Sequence, residues 1–363
     1  MKILQVITSM HIGGAEKLII EITPLLKKKG HQVDVLLFDG VETVFKQNLL
    51  DNGICVYEFG RGNSVYNPLH ILRLVPFLKK YDIVHTHNTA PQLFAAIGSV
   101  LCSVVLVTTE HTTSNRRRDW RWYRLVDRWM YNRYRTVICI SDAAENNLKK
   151  YLEYYRTNIT TVYNGVNIRN FMDAKPEFAL KQQSDGKFVV VMVAGFRYQK
   201  DQDTLIKSFQ YLPKDTYELW LVGDGERRQI LEQLVEEKNL KDNVRFLGLR
   251  NDIPQILKTA DIVVMSSHFE GLSLSSIEGM AVGRPFIASN VDGLREIVDG
   301  AGVLFSHGNA QQLAKEIKDL MENKSYYNQI AGRCMERAKK YDILNMVDGY
   351  ERIYKSLIKN NMM

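Results

Sequence analysis

The chain has 363 residues, more than a single hydrophobic core usually supports, so we expect two domains. Its composition, 45% hydrophobic and 25% charged, is typical of a globular protein and argues against a disordered chain. The four cysteines lie far apart without Cys-x-x-Cys spacing, which argues against a zinc site or a disulfide framework and fits a reducing compartment. Most of the net charge of +7 lies in residues 116–135, which contain eight arginines and two aspartates.

The first half of the chain alternates strand-like and helix-like segments. "KILQVIT", a Gly-Gly turn, "AEKLIIEITPLLKKKG" and "HQVDVLLF" predict a strand–helix–strand unit whose short connections imply parallel strands. "DIVHTH", "VVLVTTEH" and "TVICISD" follow as strands that end in polar residues. The uncharged stretch over residues 88–109 contains proline and several polar residues, so we interpret it as a buried helix and a strand instead of a membrane span. This order predicts a parallel sheet with helices on both faces and ligands beyond the carboxyl ends of its strands.

The alternation breaks after "NITTVYNGVNI" and then resumes. Residues 166–187 are polar and contain Pro176 and the run "KQQSDGK", which predicts a linker. The runs "FVVVMVAG", "YELWLVGDG", "NVRFLGL", "ADIVVMSS" and "RPFIASN", separated by helical segments, predict a second doubly wound domain. We therefore predict domains over residues 1–165 and 188–341 and a final helix over 342–363 with one apolar stripe.

Two loops after predicted strands have residues suited to an anionic ligand. In "GGAE", Gly13 and Gly14 stand between a strand and a helix, where backbone N–H groups can approach an anion. A simple tight turn explains them equally well, because the fuller G-x-G-x-x-G fingerprint is missing. In "AGFRYQKD", Arg197 and Lys200 would place cations where a pyrophosphate could bind, although lysines in loops are usually solvated.

A third loop, in "HFEGLSLSSIEGMAVGRPF", contains two glutamates separated by seven mostly small and apolar residues. Glu270 should lie in the loop after the strand "DIVVMSS", Ser273 or Ser275 should cap the next helix, and Glu278 should lie in its first turns. Ser275 and Glu278 have the spacing of a capping box, which needs no ligand but does not explain Glu270. A ligand explains both glutamates: the helix start would bind a diphosphate, Glu278 a ribose diol and Glu270 a sugar hydroxyl.

The paired glutamates resemble the E-x7-E signature of retaining glycosyltransferases, especially glycosyltransferase family 4 (group 1) with its GT-B fold. The likeness extends over nearly the whole chain and includes "HIGGAE", "DIVHTHN", "TEH", "VICISDAA", "YNGVN", "LVGDG", "VRFLG" and "DGLREIV". It implies two Rossmann-like doubly wound parallel-sheet domains facing a central cleft. The N-terminal domain would bind the acceptor and the C-terminal domain the nucleotide-sugar, and the final helix would cross back to the N-terminal domain.

The same resemblance implies roles for individual residues. In the second domain, Glu278 would bind the ribose, Glu270 the donor sugar and Lys200 the diphosphate, with backbone N–H groups from Gly271 and Leu272. In the first domain, His111 of "TEH" would lie near the reacting sugar, and Gly14 would face the diphosphate and the acceptor. The family's arginine position falls nearest to Gly195 here, so Arg197 is the candidate replacement. The proline usual in the family near the first glutamate is also absent, and Leu272-Ser273 stands there.

Two histidines on one predicted strand raise the question of a metal. We interpret His85 and His87 of "DIVHTH" as pointing to opposite faces, which argues against joint ligation, with His85 packed and His87 near the ligand. No Asp-x-Asp motif stands at a suitable strand end. We therefore expect no metal and no cofactor, the nucleotide-sugar being a substrate.

The basic segment has its own pattern of aromatic residues. Trp122, Leu125, Val126, Trp129 and Met130 fall at helical spacing among arginines. A helix packed on the sheet and a helix lying on an anionic membrane both fit, whereas no nucleic-acid-binding motif accompanies the charge. We favour peripheral contact with an anionic membrane through residues 116–135.

These observations lead to one predicted function and three alternatives. We predict a hexosyltransferase that retains the anomeric configuration and needs no metal. It would move a sugar from a nucleotide-diphosphate donor, with UDP-sugars favoured over GDP-sugars, to a lipid-linked glycan of bacterial capsule, O-antigen or exopolysaccharide. We expect it in the cytoplasm, on the cytoplasmic face of the membrane. A nucleotide-sugar 2-epimerase and a non-catalytic sugar-nucleotide-binding protein remain open, and an NAD-dependent oxidoreductase lacks its glycine fingerprint.

Overall fold

The computed structural model describes residues 1–11, 13–62, 65–111, 118, 120 and 122–362, apart from the side chains of 360–362. The chain divides into two compact units. Unit 1 contains Met1–Asn164 together with the helix that begins at Ile343, and unit 2 contains Gly165–Asp342. Among the described residues, no helix has both the length and the apolar character that crossing a bilayer requires.

Unit 1 is built on a seven-stranded parallel sheet with the order β3-β2-β1-β4-β5-β6-β7. Its strands are β1 Lys2–Ile7, β2 Gln32–Leu37, β3 Val56–Glu58, β4 Ile83–His87, β5 Val105–Glu110, β6 Thr136–Cys139 and β7 Asn158–Thr161. The helices of its continuous part are α1 Gly14–Lys28, α2 Val44–Asp51, α3 Leu69–Lys80, α4 Thr89–Gly98, α5 Tyr123–Tyr131 and α6 Asp142–Leu152. Ile3 and Leu4 belong to different hydrophobic clusters because successive strand residues face opposite sides of the sheet.

Unit 2 is built on a six-stranded parallel sheet with the order β10-β9-β8-β11-β12-β13. Its strands are β8 Phe188–Val193, β9 Tyr217–Val222, β10 Val244–Gly248, β11 Ile262–Met265, β12 Phe286–Ser289 and β13 Val303–Phe305. Its helices are α7 Ile168–Met172, α8 Phe178–Gln182, α9 Gln202–Ser208, α10 Arg228–Glu237, α11 Ile253–Thr259, α12 Leu274–Ala281, α13 Arg295–Val298, α14 Ala310–Glu322 and α15 Lys324–Lys339. The two parallel-sheet units confirm the predicted fold class.

Two segments at the predicted domain boundaries have their own packing. Residues 166–187 form α7 and α8 within unit 2, where Ile168, Phe171 and Leu180 are buried in its core. The last helix, α16 (Ile343–Met362), lies in unit 1, and the apolar stripe that includes Tyr350 and Tyr354 packs in the same cluster as residues of α1.

Candidate functional site

In unit 2, the loops after β8 and β11 lie next to each other because these strands are neighbours in the sheet. Lys200 Nζ is 2.6 Å from Glu270 Oε1, and Ser267 Oγ donates to the same oxygen at 2.6 Å. The backbone of the loops is also joined, since the His268 N–H donates to the Gln199 carbonyl at 2.8 Å. Two residues that are 70 positions apart in sequence therefore form one charged pair.

The Lys200–Glu270 pair is shielded from solvent. The side chains of Lys200 and Glu270 are 20% and 7% exposed, so neither charge is fully solvated. An ammonium has three N–H donors, and Glu270 occupies one of them. Lys200 can therefore keep its contact with Glu270 and still donate to an anionic ligand.

The start of α12 has no side-chain cap. Its N-cap residue is Ser273, whose hydroxyl accepts no hydrogen bond from the helix, whereas Asp201 caps α9 and Asn309 caps α14. Ser275 lies inside α12, so the predicted capping box with Glu278 is not formed. The first N–H groups of an uncapped helix are suited to bind an anion. Glu278 itself is buried in the same helix, with 7% of its surface exposed.

The residues between the two glutamates differ in their surroundings. Gly271 borders open space, because a Cβ built on it would meet no atom within 4 Å. Leu272 is buried in the core of unit 2 and anchors the segment that leads into α12. A ligand can therefore approach the backbone at Gly271 while Leu272 holds that backbone in place.

Two glycines outside the predicted site support these loops. Gly293, with φ +81°, lies so close to the loop that a Cβ would be 2.2 Å from the Gly271 carbonyl oxygen. Gly223, with φ +138°, lies equally close to the backbone before Arg197, at 2.1 Å from the Ala194 oxygen. These glycines lie in "DGLREIV" and "LVGDG", two of the segments that carry the family resemblance. Gly223 follows β9 directly, and a glycine at that place was the available signal for its close approach.

The Arg197 side chain is exposed at the end of the loop after β8. It makes no hydrogen bond or ion pair with the described part of the chain. Arg227 differs, because it pairs with Asp203 at 2.9 Å and lies over the Tyr198 ring at 5.9 Å. Arg197 is thus the cation of this loop that has no protein partner among the described residues.

In unit 1, the start of α1 lacks a side-chain cap, as the start of α12 does. Gly13 is the N-cap residue and Gly14 the first residue of the helix, and a Cβ on Gly14 would meet nothing within 4 Å. The Glu16 carboxylate folds over Gly13, where a Cβ would be 2.2 Å from Oε2, and Glu16 accepts from Asn88 Nδ2 at 3.3 Å. Gly13 therefore makes room for Glu16, and Gly14 leaves the helix start accessible.

His111 follows β5 and is held by a second histidine. Its Nε2 is 2.9 Å from His87 Nδ1, and His87 Nε2 is 2.8 Å from Gln5 Oε1. Burial lowers the pKa of His87 well below its usual value and lowers the pKa of His111 to about 4. Both rings are therefore neutral at pH 7. Because His87 Nε2 donates to Gln5, His87 Nδ1 is an acceptor, His111 Nε2 carries the proton, and His111 Nδ1 is left as an acceptor.

The expectation that His85 and His87 point to opposite faces was wrong. Residues two apart on a strand share a face, and the two ring centroids are 4.3 Å apart. His85 is fully buried, with Nδ1 2.5 Å from the Tyr354 hydroxyl and Nε2 2.7 Å from the Thr109 hydroxyl. These bonds make His85 a packed residue, as expected.

The basic segment separates into a buried side and an exposed side at α5. Trp122, Leu125 and Trp129 are 62%, 68% and 44% exposed, so they do not pack on the sheet, whereas Met130 is buried. Arg118 is half-buried and pairs with Glu110 at 2.8 Å, so that carboxylate offsets its charge. Arg116 and Arg117 lie outside the described residues.

Comparison with known proteins covers both units. The model of glycosyltransferase family 4 matches residues 12–170, and the model of glycosyl transferases group 1 matches residues 174–341. Escherichia coli UDP-Gal:α-D-GlcNAc-diphosphoundecaprenol α-1,3-galactosyltransferase is 26% identical over 357 residues, which cover 94% of this chain and 90% of that protein. Bacillus anthracis N-acetyl-α-D-glucosaminyl L-malate synthase is 24% identical over 375 residues, which cover 96% of each chain.

Solved structures are similar over the same extent. Anabaena HepE in complex with UDP has a TM-score of 0.86 and 25% identity, covering 98% of this chain and 100% of that one. The same protein in complex with UDP-glucose has a TM-score of 0.81 and 26% identity, covering 98% and 99%.

Proposed function

Because this chain belongs to glycosyltransferase family 4 (group 1), we propose that it transfers a sugar from a UDP-sugar to a lipid-linked glycan with retention of configuration. The observation that supports this most directly is the Lys200–Glu270 pair beside the uncapped start of α12, with Glu278 buried in that helix. A cation, free helix N–H groups and two carboxylates are the groups needed to bind a diphosphate between a ribose and a sugar.

The candidate site residues of unit 2 bind different parts of the donor in this proposal. Lys200 and Arg197 neutralise the diphosphate, and the backbone N–H groups of Gly271 and Leu272 donate to its oxygens. Glu278 accepts from the ribose hydroxyls, and Glu270 accepts from hydroxyls of the donor sugar. Because the Lys200 and Arg197 side chains supply the positive charge that stabilises the leaving diphosphate, the proposal needs no metal there.

The transfer step is a substitution on one face of the sugar. The acceptor hydroxyl oxygen forms a bond to the anomeric carbon while the bond from that carbon to the diphosphate oxygen breaks. The leaving phosphate oxygen takes the acceptor proton, so UDP leaves as the protonated diphosphate. Glu270 Oε1 already accepts from Lys200 and Ser267, and these contacts suit it for binding hydroxyls better than for attack on carbon.

Unit 1 supplies two further groups in this proposal. His111 Nδ1, left as an acceptor by the contact between His111 and His87, accepts from a hydroxyl of the reacting sugar. Gly14, at the open start of α1, offers its N–H to the diphosphate or the acceptor. A low pKa supports the role of His111, since a neutral imidazole can accept whereas an imidazolium cannot.

The choice of UDP and of a lipid-linked acceptor rests on the relatives. The Escherichia coli protein is named for UDP-Gal and for a diphosphoundecaprenol acceptor, and HepE was solved with UDP and with UDP-glucose. Other relatives include a Rhizobium meliloti lipopolysaccharide core biosynthesis glycosyltransferase, 27% identical over 295 residues, which favours a surface polysaccharide.

The test is a product assay with several donors and acceptors. UDP-galactose, UDP-glucose, UDP-N-acetylglucosamine and GDP-mannose are each incubated with the protein, with and without GlcNAc-diphosphoundecaprenol. We expect UDP release and a new α-linkage, read by proton NMR, only when that acceptor and a UDP-sugar are both present. Sugar isomerisation without acceptor would indicate the 2-epimerase, and nucleotide binding with no product for any pair would indicate the non-catalytic alternative.

We further propose that the exposed aromatic patch, Trp120, Trp122, Leu125 and Trp129, contacts an anionic membrane. These side chains are 44–68% exposed, and the Trp120 and Trp122 rings stack at 6.0 Å. Tryptophan favours the membrane interface, and nearby arginines favour anionic lipids. Although Arg124 and Arg128 both pair with Glu153, the segment keeps a net positive charge.

We expect the Trp122→Ser, Trp129→Ser double variant to lose most of the flotation that the wild type shows with phosphatidylglycerol vesicles. The measurement is the floated fraction at low salt, compared with pure phosphatidylcholine vesicles. Phe178→Ser, which changes a side chain 71% exposed in unit 2, is the control and should float like the wild type. Equal flotation of all three proteins would contradict membrane contact through this patch.

A further inference from the structure

Three potential metal ligands from separate loops meet at the edge of the unit 2 sheet. Asp201 follows β8, His268 follows β11 and His307 follows β13, and one ligand atom from each lies within 4.8 Å of the other two. His268 Nδ1 is 2.6 Å from His307 Nε2 and 3.6 Å from Asp201 Oδ2. The structure assigns these residues as a binding site for one divalent transition-metal ion, with zinc as the ion that suits them best.

The chemistry of the three ligands fits zinc. Two imidazole nitrogens and a carboxylate oxygen are a common zinc ligand set, with a fourth position left to water. Ligand atoms bound about 2.0–2.1 Å from a tetrahedral ion lie about 3.3 Å apart. The two observed distances, 2.6 and 3.6 Å, require only side-chain shifts to reach this value. The lack of Cys-x-x-Cys spacing does not argue against this site, because no cysteine takes part in it.

The surroundings hold the ligands and leave access for an ion. The Asp201 side chain is 4% exposed and is oriented by Thr204, whose N–H and hydroxyl donate to its two oxygens at 3.2 and 2.7 Å. His307 is exposed, which gives an ion a route from solvent. The His268 ring also lies against the Tyr198 ring, with centroids 4.5 Å apart.

The position of the site suggests what the ion does. Asp201 directly follows Lys200, and His268 stands two residues before Glu270. An ion bound by all three ligands would tie the loops after β8, β11 and β13 together and hold the Lys200–Glu270 pair in place. It is a structural ion, separate from the transfer step, for which the proposed function needs no metal.

The test is metal binding by the full chain, purified without a histidine tag and treated with a chelator. Cobalt(II) is added first, because its visible absorption reports tetrahedral nitrogen and oxygen ligands, and zinc is then measured by competition and equilibrium dialysis. We expect one equivalent per chain, at least 10-fold weaker binding in His307→Gln and in Asp201→Asn, and a zinc-dependent rise in the melting temperature of the wild type that these two variants lack. Asparagine caps helices as well as aspartate does, so Asp201→Asn keeps the cap of α9.

His11→Gln, which changes an exposed histidine of unit 1, is the matched control and should bind zinc like the wild type. Binding that is unchanged in His307→Gln, binding lost in His11→Gln, or no binding at micromolar zinc would overturn the assignment. His307 lies on an exposed loop, so its variant tests the site even if Asp201→Asn folds poorly. The readout needs no nucleotide, so its outcome is independent of whether the proposed glycosyl transfer is correct.

Discussion

Replacing Glu278 with alanine will abolish the rise in melting temperature that UDP produces in the wild type. Hydrogen bonds to a charged acceptor contribute about 1.5–3 kcal/mol each, so losing two from the ribose weakens UDP binding by at least about 100-fold. Ligand at about 100 times its Kd stabilises the native state by about 2.7 kcal/mol, and the same UDP concentration would then have little effect on the variant. The measurement is differential scanning fluorimetry over a UDP titration.

Two further variants make this result specific. Glu278→Gln keeps the volume of a side chain that is only 7% exposed, so it separates loss of the carboxylate from loss of packing. Glu237→Ala changes an exposed glutamate in α10 and should respond to UDP like the wild type. An undiminished UDP response in Glu278→Ala would mean that the nucleotide binds elsewhere and that Glu278 is a structural residue of α12.

Lys200→Ala will lower kcat by about 100- to 1,000-fold, the effect of removing one group that stabilises developing charge. The variant will also be less stable, because Glu270, 7% exposed, loses the cation that lies 2.6 Å away. Removing one partner of a buried pair costs on the order of 3 kcal/mol. Steady-state kinetics with a UDP-sugar and urea unfolding measure the two effects separately.

The double variant Lys200→Met, Glu270→Gln distinguishes catalysis from stability. It removes both charges, so we expect most of the lost stability to return while activity stays low. Lys207→Ala, which changes an exposed lysine in α9, is the control for charge and should keep the activity and the stability of the wild type. If Lys200→Ala kept kcat within about fivefold of the wild type, its assignment to the diphosphate would be contradicted.

The sequence was sufficient to predict the fold class and the position of the paired glutamates. Long apolar runs alternating with amphipathic segments leave few solutions other than parallel sheets covered by helices. In such sheets the residues after each strand fall at one edge, so Lys200 and Glu270 could be placed together although they are 70 positions apart. This is a consequence of chain order and periodicity, which a single sequence contains.

Local patterns were less dependable where a neighbouring element decided the outcome. Ser275 and Glu278 have capping-box spacing, but α12 begins one residue after Ser273 and places Ser275 inside the helix. The segment 166–187 is held in unit 2 by four buried apolar side chains, Val166, Ile168, Phe171 and Leu180. The helix start and the packing partner are both set by tertiary contacts that spacing does not encode.

The family, the alternation of strands and helices, and the strand ends that carry Lys200, Glu270 and His111 were thus all readable from the chain's residues. That Asp201, His268 and His307 meet, and that Arg118 pairs with Glu110 while Trp122 is exposed, followed only from the packed fold. The difference arises because hydrophobic periodicity describes each helix or strand alone. Which of its faces is covered, and which distant loops touch, depends on how all the elements of a unit pack together.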